Sequence, residues 1–509
     1  MIAPRISRLF EALASPASAA DLLAVVLLVF LPVNFLYGAV LTHLRPPDKN
    51  DFTSYYVAAR VVESGRANDL YYPEPKGSLL AQASIEHPWI DVARSAGIDN
   101  PNYYLYPPLF AVAFVPLATL PYGVAFGAWL LLNVGFLAGA LVLCLPPRGL
   151  RTLPGFAAAL LVALTFYPVW HHLKIGQSSL LVLLLLAACL ALLRRGREGA
   201  AGIALSGAIL LKLTPVIFIP FLWMRGRRRA AIVSAAGVAA LTALSLAVTG
   251  WPAQITYVTR MVPLLSAGTA FYPNQSLNGF VTRLLGAGDL MKADLSTGLG
   301  AARAASGAAA AVLLALSFLA IHRRRREAGA RGDEDGFALL TVASLLASPI
   351  SWEHHYVCLL LPAWILIGRY SGGEAPRRGV APLTGAALAL AGSYVGLAVF
   401  EKFGVGPIHP LLSSAAFIGA GILWMLFASG AVSPGDPAGA PGPARDRPGV
   451  VALFTLMAVF AGGQFLLKLA EYDTSFSYGD FTSYYVAASA VTDGRADALY
   501  EPATPDQIL

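Results

Sequence analysis

The sequence predicts an all-α polytopic membrane protein, a bundle of about 11–13 transmembrane helices with a long first outer loop. Four observations predict it. Of 509 residues, 57% are hydrophobic and only 13% charged, with a mean hydropathy of +0.63, a profile foreign to soluble domains. Apolar runs of about 20 residues recur from end to end, each long enough to cross a hydrocarbon core of roughly 30 Å as a helix. Stretches such as "LLVLLLLAACLALL" lack the alternation of barrel strands. Finally, the basic residues behind the net charge of +7 are gathered in short clusters between apolar runs: "RRGRE" at 194–198, "RGRRR" at 225–229 and "HRRRRE" at 322–327. That is the positive-inside pattern, and it argues against a nucleic-acid partner.

Placing those clusters in the cytoplasm orders the elements. Arg5 and Arg8 precede an apolar run that reads as an uncleaved first helix, about 21–43, running outward. It delivers residues 45–106 to the far side. The segment "YLYPPLFAVAFVPLATLP" is short and broken by proline, so it is not counted as a crossing. Helices follow at about 122–145, 154–172 and 176–193, the last two a hairpin around "HHLKIGQ". Residues 200–224 have basic clusters on both sides yet suffice for one crossing only. They read as two half-helices entering and leaving from the same side, broken at "KLTP". Such a break is tolerated at membrane depth only beside protein or a water-filled cavity, so a cavity is expected near Lys212. Helices at about 229–249, 303–321, 336–350, 356–370, 380–400, 411–429 and 450–470 complete the set. The outward turns then collect "FYPNQSLNG" and "SPISWEHHY". Cys144, Cys189 and Cys358 lie in or beside apolar segments without metal-ligand spacing and read as packing residues.

The loop after the first helix is written twice. "DFTSYYVAARVVESGRANDLY" starts at Asp51 and "DFTSYYVAASAVTDGRADALY" at Asp480, identical at 15 of 21 positions. The chain therefore divides into a membrane unit at 1–430, a linker rich in Pro, Gly and Ala at 431–449, and a partial second copy at 450–509. That partial copy reads as the remnant of a duplication or the front of a longer two-unit protein. In the first copy Phe52, Tyr55, Tyr56, Ala59 and Val62 share one helical face, and Gly65 stands where the helix would end. This predicts an amphipathic helix lying on the outer membrane surface. Asp51 is either its N-cap, a general base at the mouth of a cavity, or both. Metal ligation with Asp48 is disfavoured, because no acid precedes Asp480 by three residues.

Taken together, "DFTSYYVAA", "YPPLFAVAFVPLATLP", "GQSSLLVLLL", "AGIALSGAILLKLTP", "NQSLNGFVTRLL" and "SPISWEHHYVCLLLP" resemble the GT-C superfamily of membrane glycosyltransferases, and within it glycosyltransferase family 87. The resemblance spans about residues 51–370. It implies a GT-C-type bundle in the plasma or inner membrane with its active site on the outer face. There a hexosyl residue, mannose, would pass with inversion from a polyprenyl-phosphate donor to a lipid or glycan acceptor. Inverting displacement needs a base for the acceptor hydroxyl and groups that hold the leaving phosphate. Asp51 matches the family's first-loop aspartate and would be the base. Lys212, a cation within an apolar segment, would hold donor phosphate together with His354 and His355, unless it snorkels to interfacial water. Asn274, Gln275, Glu353, Tyr106 and Gln177 would contact sugar or acceptor. Arg66, His171, His172 and Lys174 are further candidates. No cofactor and no metal ligand are expected, although a divalent cation stays open as an addition; the partners are the lipid-linked donor, the acceptor and membrane lipids. Two other classes compete: a transporter or flippase of lipid-linked sugars, and a non-catalytic assembly factor on the same scaffold.

Overall fold

The computed structural model describes residues 29, 32–41, 50–71, 88–99, 101–145, 153–286, 290, 300–324, 330–371, 379–392 and 410–432. Asp48, most of the first helix and linker, the 450–470 helix and the second repeat with Asp480 and Arg495 lie outside them. The described chain is helical. Its elements are α1 (Phe52–Glu63), α2 (Pro88–Ser95), α3 (Pro108–Ala118), α4 (Tyr122–Cys144), α5 (Leu153–Thr165), α6 (Tyr167–Ile175), α7 (Ser179–Arg194), α8 (Glu198–Leu211), α9 (Phe218–Met224), α10 (Arg228–Thr256), α11 (Val262–Ser266), α12 (Leu277–Leu284), α13 (Gly300–Arg323), α14 (Ala330–Ala347), α15 (Leu360–Ser371), α16 (Val380–Ala391) and α17 (Ala415–Ser429).

Three spans are long and apolar enough to cross a membrane among the described residues: Tyr122–Cys144, Arg228–Ser266, which kinks at Gly250 (φ 76°, ψ 169°), and Gly300–Arg323. A fourth arises if α5 and α6, bent by 51°, count as one. The bend falls at Phe166, two residues before Pro168, which lacks an N–H and crowds the preceding turn. The other apolar helices are shorter, so length alone finds fewer crossings than the 11–13 expected.

The bundle has two chemically distinct ends. At one, the acidic run opening α14 pairs with two of the expected basic clusters and with Arg369. Asp333 takes Arg225 at 3.1 Å and Arg227 at 2.8 Å, Glu334 takes Arg194 at 2.7 Å and Arg369 at 2.9 Å, and Asp335 takes Arg369 at 2.6 Å. Arg227 also reaches Glu198 at 3.5 Å. Because Glu198 opens α8 and Arg227 follows α9, this contact closes the 198–227 segment into a hairpin whose two ends meet. Its tip is the break foreseen at "KLTP": α8 stops at Leu211, Lys212 is extended (φ −148°, ψ 134°), and a 3-10 turn covers Thr214–Ile217. α8 packs closely on α10 through small residues, since a Cβ on Gly237 would sit 2.6 Å from Ser206 Oγ.

At the other end, α1 forms where expected and stops at Gly65 with φ 74°. It is not a surface helix. Thr53, Ser54, Val57 and Ala58, off the apolar face, are buried along with Phe52 and Tyr55. α3 covers one side through Tyr55–Phe110 and Tyr55–Phe114 ring contacts, and α2 packs alongside. The face count could not foresee this, because α2 and α3 supply apolar surface to the remaining sides.

Candidate active site

α1 begins beside the turn between α6 and α7. The Asp51 N–H donates to the Ile175 carbonyl at 2.9 Å. Its side chain does not cap α1; Asn50 does, accepting the Thr53 N–H on Oδ1 at 3.1 Å. The capping role expected of Asp51 is therefore displaced by one residue, and its carboxylate is left for other partners. Asn102 Nδ2 donates to Oδ1 at 2.7 Å, and Gln177 Nε2 donates to Oδ2 at 2.5 Å. Burial holds the Asp51 carboxyl above the usual carboxylate range, against the Gln177 hydrogen bond, the His171 charge, the Asn102 hydrogen bond and the Lys212 charge.

Gln177 reaches Asp51 because α6 ends in a left-handed Gly176 (φ 67°, ψ 37°), after which the chain turns into α7. Its Oε1 accepts from the Tyr55 hydroxyl at 2.9 Å and the Tyr106 hydroxyl at 3.2 Å. Tyr106 in turn walls a cavity of about 240 Å³. Lys212, Thr214, Ser348 and His355 give that cavity polar groups; Leu213, Val262, Leu265 and Ile350 give it apolar ones. A smaller space of about 60 Å³ shares Lys212 and His355. The cavity thus lies at the helix break, and the Lys212 ammonium donates to Ser179 Oγ at 2.8 Å.

The histidines divide. His354 and His355 stand on the 3-10 segment Glu353–Leu359, with His354 5.7 Å from the His171 ring, and His171 Nδ1 is 3.5 Å from Glu353 Oε2. His172 points elsewhere and meets Asn133 Oδ1 at 3.0 Å in the core. Lys174 is exposed, and exposed Arg66 pairs with Asp69 at 3.1 Å; neither joins the cluster.

Asn274 and Gln275 are buried, and their amides serve backbone groups. Asn274 donates to the Thr269 and Pro349 carbonyls and accepts from Ser351 N–H at 2.9 Å. Gln275 donates to the Tyr272 and Ser413 carbonyls and accepts from Phe417 N–H at 3.1 Å. Together they tie the 271–276 loop to the turn before His354 and to the start of α17. Two further side chains carry the site without having been singled out in the sequence: Asn102, and buried Arg283, which donates to the Asn274 carbonyl at 3.0 Å and to Ser414 Oγ at 2.9 Å. Arg283 lies inside "NQSLNGFVTRLL", but a single arginine on a short helix gives no sign of facing inward.

A model of glycosyltransferase family 87 matches residues 104–349. Residues 104–349 are thus similar to glycosyltransferase family 87. The match includes Gln177 and the cavity residues Tyr106 and Lys212, and begins after Asp51 and ends before His354. A polyprenol-phosphate-mannose-dependent alpha-(1-2)-phosphatidylinositol pentamannoside mannosyltransferase of Mycobacterium tuberculosis is 31% identical over 297 residues, 56% of this chain and 64% of that protein. The enzyme of the same description from Mycolicibacterium smegmatis is 31% identical over 55% of this chain and 65% of its own length. A phosphatidylinositol mannoside mannosyltransferase of the latter organism is 28% identical over 62% and 69%. The chain thus spans under two thirds of the first two of these relatives. No solved structure matches it.

Proposed function

We propose that the chain is a membrane mannosyltransferase that uses a polyprenyl-phosphate-mannose donor and works on the outer face of the membrane. The observation that carries this reading is the linkage of Asp51, through Gln177, to Tyr106 on the wall of the cavity that Lys212 and His355 also line. In the reaction, the acceptor hydroxyl oxygen bonds to the anomeric carbon as the bond from that carbon to the phosphate oxygen breaks. Asp51 takes the hydroxyl proton, and polyprenyl phosphate leaves with the electron pair. Lys212 and His355, which both line the cavity, would hold that phosphate, and the apolar wall of Leu213, Val262 and Leu265 would suit the first isoprene units. Asp51 is well suited to this because burial makes it a stronger base than a solvated carboxylate.

The relatives' names agree on the donor and differ on the acceptor, pentamannoside against mannoside. The donor therefore carries over more firmly, and the acceptor here is a lipid or glycan hydroxyl. Asn274, Gln275 and Arg283 hold the loops that shape the cavity and do not hold sugar, while Glu353 orients His171. The activity belongs to the 1–430 unit, with 431–449 a linker and the copy at 450–509 inactive.

The test is transfer of radiolabelled mannose from polyprenyl-phosphate-mannose by the purified full chain in nanodiscs, offered phosphatidylinositol mannosides as acceptors. Transfer that disappears in Asp51→Asn and persists in Asp480→Asn supports the reading. Undiminished transfer by Asp51→Asn removes Asp51 as the base.

A further inference from the structure

We propose that Asn102 is a positioning residue for the transfer reaction, acting with Gln177 as a two-amide clamp that fixes the plane of the Asp51 carboxylate. The proposal rests on the reading of Asp51 as the base.

Each carboxylate oxygen receives one amide N–H, Oδ1 from Asn102 at 2.7 Å and Oδ2 from Gln177 at 2.5 Å. One donor per oxygen stops rotation about the Cβ–Cγ bond and leaves the other lone pairs for a substrate proton. The Gln177 amide is not free to turn: Oε1 accepts from the Tyr55 and Tyr106 hydroxyls, and flipping it would set Oε1 against Asp51 Oδ2 and N–H against the Ser178 N–H. Its Oε1 also accepts the Ser178 N–H at 3.2 Å.

Asn102 is anchored through its own backbone. Its N–H donates to Thr53 Oγ1 at 2.9 Å, and that hydroxyl donates to the Asn50 carbonyl at 2.7 Å. Asn50 caps α1, so the returning outer loop and the start of α1 are joined at the base itself. The clamp also explains why Asp51 can stand next to a cap residue and not cap: its carboxylate is turned toward Asn102 and Gln177.

Both clamp donors are neutral. They orient the anion and favour it over the acid, yet do not bind it into an ion pair that would weaken it as a base. The groups facing Asp51 are His171 on α6, Lys212 at the hairpin tip, Tyr55 on α1 and Tyr106 in the loop. Burial raises the Asp51 pKa and the two amides oppose that rise, so loss of one amide moves it further up.

The experiment is a pH profile of transfer for the purified full chain, its Asn102→Ala variant and the isosteric Asn102→Asp, with kcat and donor KM measured separately. The clamp predicts kcat lower by about 10- to 100-fold in Asn102→Ala, with donor KM within about twofold of wild type. The acid limb of kcat moves to higher pH in both variants. It moves furthest in Asn102→Asp, where two adjacent carboxylates share a proton, so that activity recovers on the alkaline side. Asn102→Asp with the wild-type acid limb and kcat overturns the clamp, as does a pure KM effect. If Asp51→Asn is inactive while both Asn102 variants are normal, the clamp alone fails; if Asp51→Asn is active, the reading beneath it fails.

Discussion

Gly176 is where backbone conformation and the site meet, and replacing it by alanine tests that connection. The residue is left-handed (φ 67°), and a Cβ there would lie 2.7 Å from Phe52 Cβ and 3.0 Å from Phe126 Cε2. Its carbonyl also accepts the Trp129 indole N–H at 2.8 Å, so the peptide cannot swing away without losing that bond. The left-handed conformation costs an alanine about 1–2 kcal/mol, and forcing a methyl group between two packed rings adds about 1–3 kcal/mol. Gly65 is the internal control: it is left-handed at φ 74°, but nothing lies within 4 Å of its added Cβ. Gly65→Ala should therefore show the conformational cost alone. Melting of the two variants in the same detergent, followed by tryptophan fluorescence, should place Gly176→Ala clearly below Gly65→Ala. Transfer should separate them further, because moving Gln177 by about 1 Å releases one side of Asp51 and reduces turnover by about 100-fold. Equal melting temperatures together with full transfer by Gly176→Ala would refute the argument that this glycine seats the clamp.

Two further outcomes follow from the charges. Lys212→Met should lower kcat/KM for the donor by about 100-fold or more while leaving the melting temperature close to wild type, since the methionine fills the same space without a buried charge; unchanged kcat/KM would take Lys212 away from the phosphate. Asp333→Asn removes the carboxylate shared by Arg225 and Arg227, with Asp333 and Arg225 at 2% and 6% exposure, and should cost about 3–5 kcal/mol. Glu198→Gln breaks a looser, quarter-exposed pair and should cost about 1 kcal/mol or less, so melting temperatures in the reverse order would contradict the structure.

What could be read from the sequence was what depends on near neighbours. Apolar runs gave the helices, and Gly65 gave the end of α1. The hairpin broken at Lys212 followed from length, from the proline in "KLTP" and from arginines on both flanks. Its closure by Glu198 and Arg227 needs only the residues at its own two ends. The opposite holds for the partners of those charges. Asp333 lies more than a hundred positions from Arg225 and Arg227, and no local pattern says which arginines a run of three acids will hold.

The errors in reading single residues share that cause. Asn50 and Asp51 are both good N-caps, and a one-residue choice between them decides whether the aspartate is structural or available. The sequence cannot make that choice, because Asn102 and Gln177, which claim the carboxylate, arrive from the far end of the outer loop and from the α6–α7 turn. Asn274 and Gln275 were misleading in the reverse sense. An exposed "NQS" turn suggests free amides, yet Pro349, Ser351, Ser413 and Phe417 use them up. In an apolar bundle a buried amide must find such partners or cost stability, so polar residues in outward turns divide into those that hold loops together and those left for ligand. Asp51 and Lys212 stay in the second group because their side chains hydrogen-bond to other side chains, Asn102, Gln177 and Ser179, and not to backbone groups that close a loop; Lys212 and His355 also line the cavity.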